Sequence, residues 1–386
     1  MEGFGDAWPS SAPLSFNFRT VYMGVIDRYI IKKYLGTFGF ILLLLSTVVL
    51  VIDVQAKKPR IEENGFQLSE FLTQYYPFWI IYLVMTFMSI LVFISVIFFT
   101  SRMANNTEIV AIISSGASFH RFARPYFFTS LFIGIFSLVI NHFVLPWANI
   151  KKNELEAYTM NARKREQIIG SAPVSAQINK NEYIFLHSYN KKEKRGSGFG
   201  YKKYDKDKRL TYQLLAAEMF WDADKKVFVL NTFHEKTINK NDTEKLNNGA
   251  QMFKKFGFPP EELFPDQLLG QTKTTPELIK FITREREKGN SNLNTYLNEL
   301  YQRTSMPVSV IVLTFLALSL SSQKKRGGLG VNLAIGIALA FIFVFSFEAL
   351  KVVSENKTLT PALAMWLPNM VFAPLAAFLY FKRANQ

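Results

Sequence analysis

Six long apolar runs fall into two groups of three, with one polar, basic block between the groups. The runs are Tyr34–Ile52, Phe78–Thr100, Pro125–Trp147, Met306–Ser321, Val331–Val353 and Leu363–Phe381. Most reach the roughly 20 residues that a helix needs to cross the hydrocarbon core of a bilayer. Between the third and fourth runs, Ala148–Thr304 carries Lys and Glu throughout. The pattern predicts an α-helical membrane domain of six transmembrane helices with a large extramembrane domain inserted in its middle.

Inside the polar block, Ala172–Ile178, Glu182–His187, Leu210–Ala217 and Val227–Phe233 are short and rich in Val, Ile, Phe and Tyr. Turn material such as Asn179-Lys180-Asn181 and Asp222-Ala223-Asp224 separates them, so they read as strands. Strands at this spacing predict an all-β sandwich, roll or barrel edge. Lys191–Arg209 is Lys-rich and contains Gly, and reads as a loop. Its Gly196-Ser-Gly-Phe-Gly starts like a dinucleotide fingerprint but lacks the last glycine and a following helix, which favours a flexible hairpin loop. Thr275–Lys288 and Asn292–Arg303 read as helices. Thr275-Pro276-Glu277 offers the first an N-cap followed by Pro at N1. The second leads into the fourth run as a stiff connector. The expected division is 1–22 as leader or over-extended start, 23–147 as spans one to three, 148–290 as the β domain, and 291–386 as connector and spans four to six.

Composition sharpens this only in part. The mean hydropathy of +0.09 is low for a membrane protein because the polar block dilutes the apolar runs. No cysteine is present, which excludes disulfides, Cys-ligated zinc and thiol catalysis. The four histidines, His120, His142, His187 and His234, show no metal-ligand spacing. Met1–Tyr22 lacks the basic start and apolar stretch of a signal peptide. The net charge of +15 reads first as basic flanks on the cytoplasmic side, and second as attraction for an anionic client or lipid. Arg19, Arg28, Lys32, Lys33, Arg102, Arg121, Arg124, Lys324, Lys325, Arg326, Lys382 and Arg383 fall on one side of six alternating spans. The other side has Lys57, Lys58, Arg60, Lys351 and Lys357, offset by Glu62, Glu63, Glu70 and Glu355. Positive residues stay inside, so both termini are expected in the cytoplasm and the β domain on the far face.

Chemistry is sparse. No GxxxxGK[ST], HExxH or GxSxG motif occurs. Charged residues are nearly absent within the runs, which argues against a buried ion relay. Asp53 lies at the outer end of span one. Glu348 and Lys351, three residues apart on one helical face, read as an interfacial pair or as the polar edge of a client path. No enzyme activity, cofactor or nucleic-acid partner is expected, and any uphill movement must draw energy from a partner. The loop after span two offers a contact for it. Thr107 reads as a cap, Glu108 sits in a favourable first turn, Ile109, Ile112 and Ile113 form one apolar stripe, and Gly116 ends the helix. A short amphipathic helix over 105–116 fits both a lipid-lying element and a knob for a cytoplasmic partner.

That loop, Asn106-Thr-Glu-Ile-Val-Ala-Ile-Ile-Ser-Ser-Gly-Ala-Ser, resembles the coupling segment of the Lpt permease family (LptF/LptG, or YjgP/YjgQ type). So do Ile26-Asp-Arg-Tyr-Ile-Ile-Lys-Lys-Tyr-Leu at the start, Tyr301-Gln-Arg-Thr-Ser-Met-Pro entering span four, and Leu363–Arg383 with Trp366-Leu-Pro-Asn. The resemblance covers Met23 to Arg383. It implies a permease subunit that extracts lipopolysaccharide from the inner membrane of Gram-negative bacteria. Such a chain pairs with a paralogous six-span permease and with a cytoplasmic ABC ATPase dimer, which it contacts through the helix of Glu108. Its polar block folds as a periplasmic β-jellyroll and joins a bridge of similar jellyrolls. A single-span Lpt subunit sits near the lateral entry between spans one and five.

Family members can carry a basic residue in the outer half of span one, where this chain has the apolar Val48–Ile52. The expected client contacts therefore shift to Lys57, Lys58 and Arg60, with Glu348 and Lys351. A competing reading is a membrane-anchored periplasmic adaptor or receptor without transport. A lipid-acting enzyme would have only Glu348, Asp53 and His142 to draw on.

Overall fold

A computed structural model describes residues 24–160 (except 64 and 66), 174–190, 193–239, 243–256, 260, 269–288, 293–323 and 328–385. The leader 1–22, the cluster Lys324-Lys325-Arg326 and the expected boundary at 290/291 lie outside these.

Among the described residues, six helices are long and apolar enough to cross a membrane. Each contains one predicted run and extends past it. They are α1 (Val25–Glu63), α3 (Tyr76–Asn105), the third span starting as α5 (Phe119–Val139), α9 (Asn294–Ser321), α10 (Gly328–Glu355) and α11 (Pro361–Ala384). The third span passes through one π turn, Ile140–Val144, into α6 (Leu145–Met160). Short helices fill the links: α2 (Leu68–Gln74), α4 (Glu108–Ser114), α7 (Leu269–Thr272) and α8 (Thr275–Lys288). The connector predicted from Asn292 runs without a break into the fourth span as the first part of α9.

α3 is the central post. It packs against α1, α6, α9 and α10, while α9 pairs closely with α11. Its buried face carries Val92, Phe93, Val96 and Ile97, which join Leu313, Leu316 and Phe343 in one core. Small residues bring the spans together: a methyl placed on Gly134 of α5 would stand 3.2 Å from the Pro307 carbonyl of α9.

The inserted domain is one antiparallel sheet of seven strands. They are β1 (Val174–Asn179), β2 (Glu182–Leu186), β3 (Ser188–Asn190), β4 (Arg195–Tyr204), β5 (Leu210–Asp222), β6 (Val227–Ile238) and β7 (Glu244–Lys254). The order is β1-β2-β4-β5-β6-β7, and β3 continues β2 along the same flank of β4 beyond a break at His187. The four predicted strands are present as β1, β2, β5 and β6. The loop reading of Lys191–Arg209 is corrected, since most of it is β4; Gly196 is held against the Ser188 carbonyl, where any Cβ would stand only 2.9 Å away. β7 was not anticipated, because its exposed Glu, Lys and Asn give no apolar alternation.

A line of irregular positions crosses this sheet. Gly198 (φ +61) and Thr232 (φ +52) adopt left-handed backbone, and Ala217 lies between them on β5. Along β5 the buried positions switch parity there, from Leu214 and Ala216 to Met219. The pairing register runs on unbroken through these positions. Phe256 lies against Phe199, Tyr201 and Phe228, with centroids 6.1, 5.1 and 5.2 Å away.

Candidate functional site

The loop after α3 turns within two residues. Thr107 is left-handed (φ +62), and its hydroxyl donates to the Asn106 carbonyl at 2.6 Å instead of accepting from the helix. The cap read from the sequence is therefore absent, because this position supplies the reversal between two helices. The helix that follows is α4, shorter than the predicted 105–116. Gly116, at φ +90, closes it as expected.

α4 has two unlike faces. Ile109 is buried, and Ile112 and Ile113 are half-buried against the membrane core. The predicted stripe thus anchors α4 to its own chain. Val110, Ala111, Ser114 and Ser115 face outward, with Val110 57% exposed.

Glu108 turns back toward α1. Its carboxylate accepts from the Tyr29 hydroxyl at 2.7 Å, from Lys33 Nζ at 3.1 Å and from Asn106 Nδ2 at 3.3 Å. Burial alone would raise its pKa, but these hydrogen bonds outweigh that and hold it below the usual carboxylate value. One turn away, Arg121 at the start of α5 makes a two-pronged pair with Asp27 of α1, whose second bond is 2.7 Å. α1, α4 and α5 are thus joined at one end of the bundle by two ion pairs. Tyr29, Lys33, Asp27 and Arg121 were not singled out in sequence as a site; the lone acidic Asp27 among Arg28, Lys32 and Lys33 was the local signal.

The opposite end of α1 holds the expected client cations. Lys57 is engaged: its Nζ lies 2.8 Å from both Asp53 Oδ2 and the Tyr75 hydroxyl, and 4.7 Å over the Tyr75 ring. Tyr76 donates to the same Asp53 carboxylate at 2.9 Å. Lys58 is exposed and lies only at 3.9 Å from Glu62, and Arg60 is exposed on the same turn.

Glu348 and Lys351 make no ion pair with each other in the structure. They line a cavity of about 70 Å3 with Glu299, Gln302 and Arg303. Arg303 is fully engaged there, donating to Glu299, to the Thr275 hydroxyl, and to the carbonyls of Gly270 and Lys273. That hydroxyl also meets His142 Nδ1 at 2.6 Å. Thr275 is therefore not the cap of α8. Thr274 precedes the helix, and its N–H is taken by Glu277 Oε2 at 2.9 Å. Glu277 is held below the usual carboxylate value chiefly by the Thr274 side chain. Asp53, His142 and Glu348 each have different surroundings, and no catalytic constellation unites them. Among the described residues no group of His, Asp or Glu could hold a metal.

The chain matches the family described as Lipopolysaccharide export system permease LptF/LptG over residues 28–382. No curated protein matches it at a comparable level. That match spans all six membrane helices, α4 and the β domain, so the chain belongs to the LptF/LptG family of lipopolysaccharide export permeases and is a multi-pass inner-membrane protein.

Proposed function

We propose that the chain is the non-catalytic membrane half of an ATP-driven exporter that extracts lipopolysaccharide from the inner membrane and passes it to a periplasmic bridge. A cytoplasmic ABC ATPase dimer supplies the energy, and a paralogous six-span permease completes the path. Both termini are cytoplasmic and the β domain is periplasmic. A single-span Lpt subunit sits beside the lateral entry. The antiparallel sheet serves as the jellyroll that receives the lipid and abuts the bridge.

The observation that carries the coupling reading is the strut from Glu108 to Tyr29 and Lys33. The outward face of α4, around Val110 and Ser114, seats on the ATPase. Because Glu108 grips α1, a rigid shift of α4 moves α1 with it. Between its tied ends α1 is sparsely packed: only 6% of its apolar stretch is buried, against 56% in α3. Movement of α1 against α10 of the paired permease then narrows the cavity and drives lipid outward. Lys58 and Arg60 stay at the outer mouth for lipid phosphates. Lys57 supports that end of α1, and Glu348 and Lys351 edge the path.

Two experiments test this. Affinity purification of the tagged chain from native membranes should recover a P-loop ATPase and a second six-span chain; recovery of the protein alone would favour the adaptor reading. Within the complex, Glu108→Lys should uncouple ATP hydrolysis from lipid release by facing Lys33 with a like charge. The swap Glu108→Lys with Lys33→Glu should restore coupling. If Glu108 instead contacts the ATPase directly, the swap leaves the defect in place and the strut has no role.

A further inference from the structure

A groove opens on the lipid-facing surface between α1, α3 and α5. At the N-terminal end of α1 the helices are locked together, by Asp27 with Arg121 and by Tyr34, whose ring lies 5.5 Å from Phe99 and 6.2 Å from Tyr126. Beyond Tyr34, α1 and α5 part around a cavity of about 340 Å3. Its lining is entirely apolar. Met85, Met88 and Ile133 form a buried floor, and Leu35, Phe132 and Phe136 form an exposed rim. It closes again where Ile80 joins the aromatic cluster of Phe71, Tyr75, Tyr76 and Trp79. No residue of α9, α10 or α11 contributes.

An apolar cavity of about 150 Å3 already stays dry and accepts benzene. This one is more than twice that size and lies within the apolar stretch of three spans, so hydrocarbon fills it. Charge and depth identify which hydrocarbon. Arg28 and Lys32 on α1 and Arg124 on α5 are exposed at the locked end, and none has an ion pair among the described residues. From Arg28 to Leu42, the deepest lining residue of α1, is about 21 Å along the helix. A lipid phosphate lies about 20 Å from the bilayer midplane. A chain hanging from a phosphate at Arg28 therefore reaches the end of the groove.

We propose that this groove is a binding site for an anionic phospholipid of the adjoining leaflet, with one acyl chain between α1 and α5 and its phosphate among Arg28, Lys32 and Arg124. The lipid occupies the space the two helices leave between them and sets the spacing of α1 from α5.

Because the chain has no cysteine, Phe136→Cys at the rim and Phe341→Cys on exposed α10 each take a single bimane label. The full-length protein is reconstituted in phosphatidylcholine vesicles doped with phosphatidylglycerol or phosphatidylcholine brominated in the acyl chain. At position 136 the phosphatidylglycerol should quench in excess, by about fivefold for each basic residue engaged, while at position 341 the two lipids quench equally. Neutralising Arg28, Lys32 and Arg124 to Gln should remove the excess. Val84→Phe, which fills the groove, should lower quenching at 136 by both lipids and leave 341 unchanged. Equal quenching at 136, an excess that survives neutralisation, or displacement of the phospholipid by added lipopolysaccharide would each overturn the assignment. The last would make the groove part of the client path.

Discussion

Lys57 and Arg303 illustrate how little a charged residue's name says about its availability. Lys57 stands where a phosphate contact was expected, yet Asp53, Tyr75 and Trp79 surround its ammonium. Tyr75, just before α3, and Trp79 on it lie 18 and 22 positions away, so no local spacing reveals them. Lys58, one residue later, is exposed and lies 3.9 Å from Glu62. Glu108 was legible as a special residue from its loop, but its partners Tyr29 and Lys33 were not, since 79 and 75 positions separate them. Arg303 passed unnoticed at the start of an apolar run. Its side chain is 2% exposed and joins span α9 to the α7–α8 segment through Thr275, Gly270 and Lys273, with Glu299 of α9 itself as a fourth partner. Removing one partner of a buried charged network costs about 3–5 kcal/mol. Arg303→Met should therefore lower the midpoint of thermal unfolding in detergent markedly, and Arg303→Lys, which cannot reach all four groups, should recover only part of it. A midpoint unchanged in Arg303→Met would show that α7 and α8 need no such tie.

Elements were readable where one face is buried and the other wet. β2, β5 and β6 announce themselves by branched and aromatic residues, and their predicted starts agree with the structure. β4 misled because its glycines and lysines look like a turn. The glycines serve close packing and the left-handed position at Gly198, a tertiary demand with no local trace. β7 lies at the sheet edge, so few of its side chains needed to be apolar. Span lengths were legible, but span contacts depend on single small residues. Gly134 is the clearest: its Cα faces the Pro307 carbonyl and Ile311 of α9. Gly134→Val should force α5 and α9 apart at a cost of about 1–3 kcal/mol, with Gly134→Ala clearly milder. Thermal unfolding of the two variants in the same detergent reads this, and equal midpoints would mean that the interface relaxes freely.

At the scale of the whole molecule, the six spans came from hydropathy alone because a bilayer admits few solutions. What hydropathy cannot rank is how much of each span the chain itself covers. Only 6% of the apolar stretch of α1 and 22% of that of α10 are buried, against 33 to 61% in the other four spans. Both helices pack on α3, so the chain presents two sparsely covered helices beside its central post. Lipid alone could cover them. A paired permease covers them differently, by placing its own helices there. A photo-crosslinking residue distinguishes the two. Leu43 of α1 is 66% exposed, Phe341 of α10 is 74% exposed and Phe378 of α11 is 64% exposed. With benzoylphenylalanine at each position in turn, irradiation of native membranes should join Leu43 and Phe341 sites to a second six-span chain, while the Phe378 site yields only lipid adducts. Adducts at all three sites, or at none, would separate the sparse packing of α1 and α10 from pairing. Adducts confined to the two would locate the partner beside α10 and beside α1, the helix that Glu108 ties to α4.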